Sequence, residues 1–249
     1  MEEFSNSAGG SGGKALFVSF KYDPVLLDGS AFRRVNKPFN VVDDLKRGAF
    51  KSGATVGNVF YVCGGTEGDK RKCFTFDFGT ERWGELAQRM PTEVQAPMVV
   101  GHGDFLFVVN GAHVKYTNAT VRFDTKTGVW QQMAPSRVAR SLSAAAVVER
   151  GSSAYILSCG GFGRSDCELY DIDKDEWTET GSMYFNRSYF ALVTCAGQTF
   201  ALGGFDGEDN NFVNEIEHYD ADTGQWSTLD EPRLPSPQRT RPQVACYDP

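Results

Sequence analysis

Short apolar runs separated by turn residues recur along the chain. Val59–Cys63, Phe105–Val109, Tyr155–Cys159 and Thr199–Leu202 are apolar at successive positions instead of alternating. Such runs are too short for helices, and the lack of alternation marks strands buried on both faces. Each run ends at a glycine element: Gly64-Gly65, Asn110-Gly111, Gly160-Gly161 and Gly203-Gly204. Ahead of each lies another strand-like segment, at Ala49–Val56, Ala96–Val100, Ser141–Val148 and Tyr189–Cys195. Beyond each comes an aromatic-Asp pair (Phe76-Asp77, Phe123-Asp124, Tyr170-Asp171, Tyr219-Asp220), a polar turn such as Thr125–Gly128 or Ala221–Gly224, and a tryptophan. The pattern predicts four short antiparallel strands per repeat, with the glycines closing the second and the tryptophan in the fourth.

Spacing makes this a repeat and not a composition effect. The tryptophans are Trp83, Trp130, Trp177 and Trp226, in steps of 47, 47 and 49 residues. Glycine pairs alone carry less, because 27 glycines produce some by chance and Gly9-Gly10 and Gly12-Gly13 have no such sequel. Structural roles are expected for both sets. Gly64, Gly65, Gly111, Gly160, Gly161, Gly203 and Gly204 supply positive φ and close approach. The four tryptophans supply packing between sheets, in preference to exposed stacking platforms. Asn110 stands where the first glycine belongs, and asparagine tolerates positive φ better than most residues.

The ordered set ends in Met90-Pro91, in Met133 with Arg137 and in Met183 with Arg187. Taken together from Ala49 to Leu229, it resembles the kelch repeat. The resemblance implies an all-β, kelch-type β-propeller of four-stranded antiparallel blades, with blade cores near 49–86, 96–133, 141–180 and 189–229. The ends add to it. Tyr22-Asp23 and Phe32 within 14–35 read as third and fourth strands, and 242–247 reads as a first strand. A fifth, composite blade closed by strands from both termini is therefore expected. Residues 1–13, small and polar, are expected to be a flexible tail, with the propeller domain occupying 14–249.

Charge narrows the function classes. With 25 basic and 32 acidic residues the net charge is −7, which argues against a nucleic-acid surface. No apolar run reaches the roughly 18 residues of a membrane span, and the N-terminus lacks a signal pattern. A cytoplasmic protein with no membrane partner is expected. The six cysteines include no CxxC pair and mostly sit in apolar runs, which predicts buried reduced thiols. His102, His113 and His218 show no metal-ligand spacing, and no glycine motif opens a phosphate-binding helix. No catalytic residue, metal ligand or cofactor is singled out.

Chain direction alternates within such a blade. Loops from second to third strands thus emerge on the same side as crossovers from one repeat to the next. The candidate partner-binding residues there are Arg71, Lys115, Tyr116 and Arg164 in the loops, and Arg137, Arg140, Asn186, Arg187 and Tyr189 in the crossovers. Kelch relatives commonly bind acidic or phosphorylated peptides through Arg, Asn, Ser and Tyr at such places, and the arginines are expected to cluster. The resemblance therefore implies a protein–protein interaction module, a substrate-recognition or scaffold protein, with a protein or peptide partner of acidic character among those expected. Two alternatives remain open: a metal-dependent oxidase or sugar-handling enzyme on the same scaffold, and a truncated kelch fragment without independent function.

Overall fold

A computed structural model describes residues 4–8, 14–19, 25–28, 31–34, 52–65, 70–112 and 115–230. It is all-β, with no helix among the described residues. The first sheet holds β1 (Phe4–Ala8), β2 (Lys14–Ser19), β3 (Val25–Asp28) and β4 (Ala31–Arg34). The second holds β5 (Ser52–Val56), β6 (Val59–Cys63), β7 (Cys73–Asp77) and β8 (Arg82–Glu85). The third holds β9 (Met98–His102), β10 (Phe105–Val109), β11 (Thr120–Asp124) and β12 (Val129–Met133). The fourth holds β13 (Ala144–Arg150), β14 (Ser153–Cys159), β15 (Cys167–Asp171) and β16 (Glu176–Thr180). The fifth holds β17 (Ala191–Cys195), β18 (Gln198–Leu202), β21 (Glu217–Asp220) and β22 (Gln225–Thr228), while β19 (Phe205–Asp206) and β20 (Asn211–Phe212) form a small separate hairpin. Neighbours in sequence are neighbours in each sheet, and every pairing is antiparallel. The strands fall into two compact units, β1–β12 and β13–β22.

One expectation about the N-terminus needs correction. Phe4–Ala8 is a strand paired with Lys14–Ser19, so residues 1–13 are not simply a tail. It pairs with β2 at the edge of a first sheet of four N-terminal strands; the strand expected at 242–247 to complete a composite blade lies outside the described residues. An edge strand needs backbone partners on one side only, so a small polar sequence suffices for it.

The first strands of the repeats begin two or three residues later than the apolar pattern suggests. Ala96, Leu142 and Tyr189, each two residues ahead of β9, β13 and β17, adopt positive φ of 47°, 59° and 55°. A left-handed residue there ends the crossover and turns the chain into the strand.

The second strands β6, β10 and β14 are buried on both faces toward their C-terminal ends, which is why they do not alternate; β18 is the exception, its burial alternating along Gln198–Leu202. In β6, Phe60 and Val62 pack with Phe74, Phe76, Phe78 and Trp83, while Tyr61 and Cys63 join Val99, Leu106, Val108, Val121 and Phe123. In the second unit, Leu157 and Cys159 pack with Leu169, Phe190, Ala201, Tyr219 and Trp226.

The repeated aromatic-Asp and tryptophan residues are cross-strand partners. Phe76, Phe123, Tyr170 and Tyr219 stand opposite Trp83, Trp130, Trp177 and Trp226. Ring centroids are 5.3, 5.0, 5.1 and 5.1 Å apart, in the range of favourable aromatic pairs. Three indole N–H groups donate to a carbonyl upstream of their own sheet: Trp130 to Gln88, Trp177 to Ala134 and Trp226 to Gly181. The carboxylates of Asp77, Asp124, Asp171 and Asp220 accept N–H bonds from the turn that follows, holding each hairpin.

The described cysteines are not reduced, although Cys63, Cys73, Cys159 and Cys167 are buried as expected. Cys63–Cys73 and Cys159–Cys167 are disulfides, and Cys195 is disulfide-bonded as well. Each described pair is a directly opposed couple on neighbouring strands, with Cα atoms 4.2 Å apart. Sequence spacing hid this, because the pairing follows from strand register and not from a CxxC interval.

Candidate docking surface

The loops after the second strands all leave through left-handed turns. Gly64 and Gly65, Asn110 and Gly111, Gly160 and Gly161, and Gly203 and Gly204 all have positive φ. At Gly160 a Cβ would lie 2.6 Å from the Arg187 carbonyl oxygen, so the loop and the next crossover are in backbone contact. In the second unit this contact is extensive. Gly161 N–H donates to Arg187 O, Arg187 N–H to Arg164 O, Met183 N–H to Ser165 O, and Ser188 N–H to Phe205 O.

Arg140 and Arg187 do not face solvent, which corrects their assignment as partner contacts. Both side chains are fully enclosed. Arg140 Nη1 donates to the carbonyls of Gly160 and Asp166 at 3.0 and 2.9 Å, and its Nη2 pairs with the carboxylates of Asp166 and Glu168. Arg187 repeats the arrangement: Nη1 to Gly203 O at 2.6 Å, Nη2 to Glu215 O at 2.8 Å, and Nε to Glu217 Oε2 at 2.8 Å. Glu168 in turn accepts Arg137 N–H, and Glu217 accepts Tyr184 N–H. Five fixed donors suit a guanidinium to this task, since it satisfies carbonyls and carboxylate together. Each arginine thus ties a loop, a third strand and its own crossover into one rigid base.

Electrostatics follow. Burial lowers the pKa of Arg187, opposed by the nearby Glu217 carboxylate. Burial pushes Asp166 upward, but hydrogen bonds from Arg164 and Arg140 outweigh it and hold its carboxyl below the ordinary range.

The remaining candidates are accessible to varying degrees. Arg137 and Arg164 are 58% and 41% exposed but pair with Glu179 and Asp166. Asn186 and Tyr189 are half-buried, with Tyr189 N–H bonded to Leu142 O. Tyr116 is an exposed aromatic. Arg71 and Lys115 are exposed residues of the first unit. Arg140 and Arg164 pair with Asp166 and Glu168, Arg187 with Glu217 and Arg137 with Glu179, so these arginines stand in cation–carboxylate pairs and not as a bare basic patch.

Sequence reasoning missed two exposed aromatics, Phe162 at 58% and Tyr184 at 67% exposure. Phe162 directly follows Gly160-Gly161, and Tyr184 lies three residues before Arg187, so both sit on backbone held by the arginine network. The edge of the Phe162 ring lies near Gly207, beside Phe205, whose ring meets Phe212 at 5.4 Å with a tilt of 57°. It also missed Glu168 and Glu217. Their signal was spacing: 28 residues from Arg140 to Glu168 and 30 from Arg187 to Glu217. By register, the matching pair in the third sheet is Val94 and Val121, both buried. The ion pair is thus exchanged as a unit for two valines.

Among the described residues no group of three or more His, Cys, Asp or Glu side chains is gathered as a metal site. Nor is any helix long and apolar enough to cross a membrane.

Comparison with known proteins agrees with this architecture. The Kelch motif is matched over residues 186–233. The chain is similar to Kelch-like protein 40 of Mus musculus, 31% identical over 184 residues, which cover 68% of this chain and 29% of that protein. Kelch-like protein 40 of Xenopus tropicalis is 27% identical over 69% of the chain and 30% of its own length. Kelch-like protein 41b of Danio rerio is 27% identical over 61% and 27%. The chain therefore spans about three tenths of the length of the curated relatives it matches. Evenly spaced tryptophans, left-handed glycine turns and four-stranded antiparallel sheets agree with these matches: the chain is a kelch-repeat protein built of β-propeller blades.

Proposed function

We propose that the chain is a protein-binding module that docks a partner protein or peptide on the loops and crossovers of its second unit. The observation that carries this reading is the pair Phe162 and Tyr184. Large aromatics more than half exposed lie on backbone that the Arg140 and Arg187 networks hold still. A preorganised loop binds without the entropic cost of ordering, and aromatic residues are frequent anchors at interfaces. Arg164, Asn186 and Arg137 supply polar contacts around them. An acidic partner draws support only from Arg137 and Arg164, because the other two arginines of the network are enclosed. A role as substrate-recognition or scaffold protein fits membership of the kelch-like family. No specific observation favours an enzymatic reading.

Affinity capture with wild type beside Phe162→Ser/Tyr184→Ser tests the surface. A partner held by wild type should be lost by the variant, with circular dichroism of the two unchanged. Retention of every captured protein by the folded variant would contradict the assignment.

A further inference from the structure

The two described disulfides occupy one position in two different repeats. Cys63 and Cys159 are the last residues of their second strands, and Cys73 and Cys167 the first residues of their third. Each pair therefore closes the loop that begins with a glycine pair. The third sheet has Val109 opposite Thr120 at this place. In the fifth sheet, one step beyond the Ala201–Glu217 pair, the residues are Leu202 and Ile216. Cysteine thus appears at both members or at neither. Because the sheet forms equally with Val and Thr, the sulfur bridge is not what makes the blade fold.

We infer that Cys159–Cys167 is a reversible thiol–disulfide site that sets the mobility of the loop 160–166. Its strand ends are the first place to fray, so local opening exposes sulfurs that are otherwise buried. A thiolate of a dithiol reductant attacks one sulfur, forming a mixed disulfide and releasing the other cysteine as thiolate. The reductant's second thiolate then closes its own disulfide. Two electrons and two protons pass to the protein, which ends with two thiols. Oxidised glutathione reverses the change, yielding two molecules of glutathione per bridge.

The consequence is local. Arg140 already holds Gly160 O and Asp166 O, and the bridge is a second lock across the same loop base. Loss of the bridge leaves the sheet paired but lets Phe162 and Arg164 move. The effect on docking rests on the docking reading above; the redox chemistry does not.

The test is hydrogen–deuterium exchange of the full chain, equilibrated with dithiothreitol or with oxidised glutathione, beside peptide mapping by differential alkylation. The oxidised protein should yield a linked Cys159–Cys167 peptide. Amides of 160–166 should exchange about tenfold faster or more after reduction, recover on reoxidation, and leave β13 and β16 unchanged. The variant Cys159→Val/Cys167→Thr, built on the Val109–Thr120 precedent, should exchange like reduced wild type in both buffers. Cys159→Ser/Cys167→Ser serves the same purpose should the first fail to fold. Absence of the linked peptide, equal exchange in both states, or faster exchange throughout the fourth sheet would each overturn the inference.

Discussion

Arg187 and Glu217 show why a charge at a loop was misread. The sequence places an arginine in a crossover, where solvent exposure is the ordinary outcome. The fold instead encloses it against Gly203 O, Glu215 O and Glu217. Removing one member strands the other without compensation, at a cost of about 3–5 kcal/mol, whereas replacing both by apolar residues can be neutral. Arg187→Val should therefore lower unfolding stability in urea by several kcal/mol. Arg187→Val/Glu217→Val, copying Val94 and Val121, should recover the part due to the stranded charge, but not the bonds to Gly203 O, Glu215 O and Tyr184 N–H. A single variant as stable as wild type would refute the clamp. Asp166 carries a pH signature. Its carboxyl is held low in the folded protein, so its stabilising contribution is complete above the unfolded value of about 3.9 and lost as pH falls through the folded value. The stability gap between wild type and Asp166→Asn should be full at neutral pH and shrink in acid; a gap independent of pH would contradict the Arg140–Asp166 pairing.

Strands and turns were the most legible level. Val59–Cys63 and Phe105–Val109 are strands to the residue, because burial on both faces leaves a continuous apolar run. The first strands were overextended, since Ala96, Leu142 and Tyr189 carry no sequence mark of a left-handed backbone. Disulfides and buried arginines were illegible because both depend on which residues face each other across strands, not along the chain. Two substitutions test the elements. Gly160→Ala places a methyl group 2.6 Å from Arg187 O at φ +67°. It should lower the thermal midpoint by an amount equivalent to about 1–3 kcal/mol. Trp177→Phe keeps the ring near Tyr170 but removes the N–H bonded to Ala134 O at 3.0 Å. The expected loss in chemical denaturation is about 1–2 kcal/mol, and no loss would deny that bond a structural role.

Repetition fixes the roles of most residues in the molecule, and what departs from it is where function is sought. Phe162 and Tyr184 have no structural duty comparable to the tryptophans, and they project from loops that the arginine network immobilises. The opposite turns of the same sheets lie at 151–152, 172–175 and 221–224; the latter two are held by Asp171 and Asp220, and none offers an exposed large aromatic among the described residues. The most direct measurement is a hydrogen-exchange footprint of the second unit, within the full chain, in complex with a captured partner. The account predicts protection at 160–166 and 181–190 with the turns at 151–152, 172–175 and 221–224 unchanged; protection of those turns instead would contradict it.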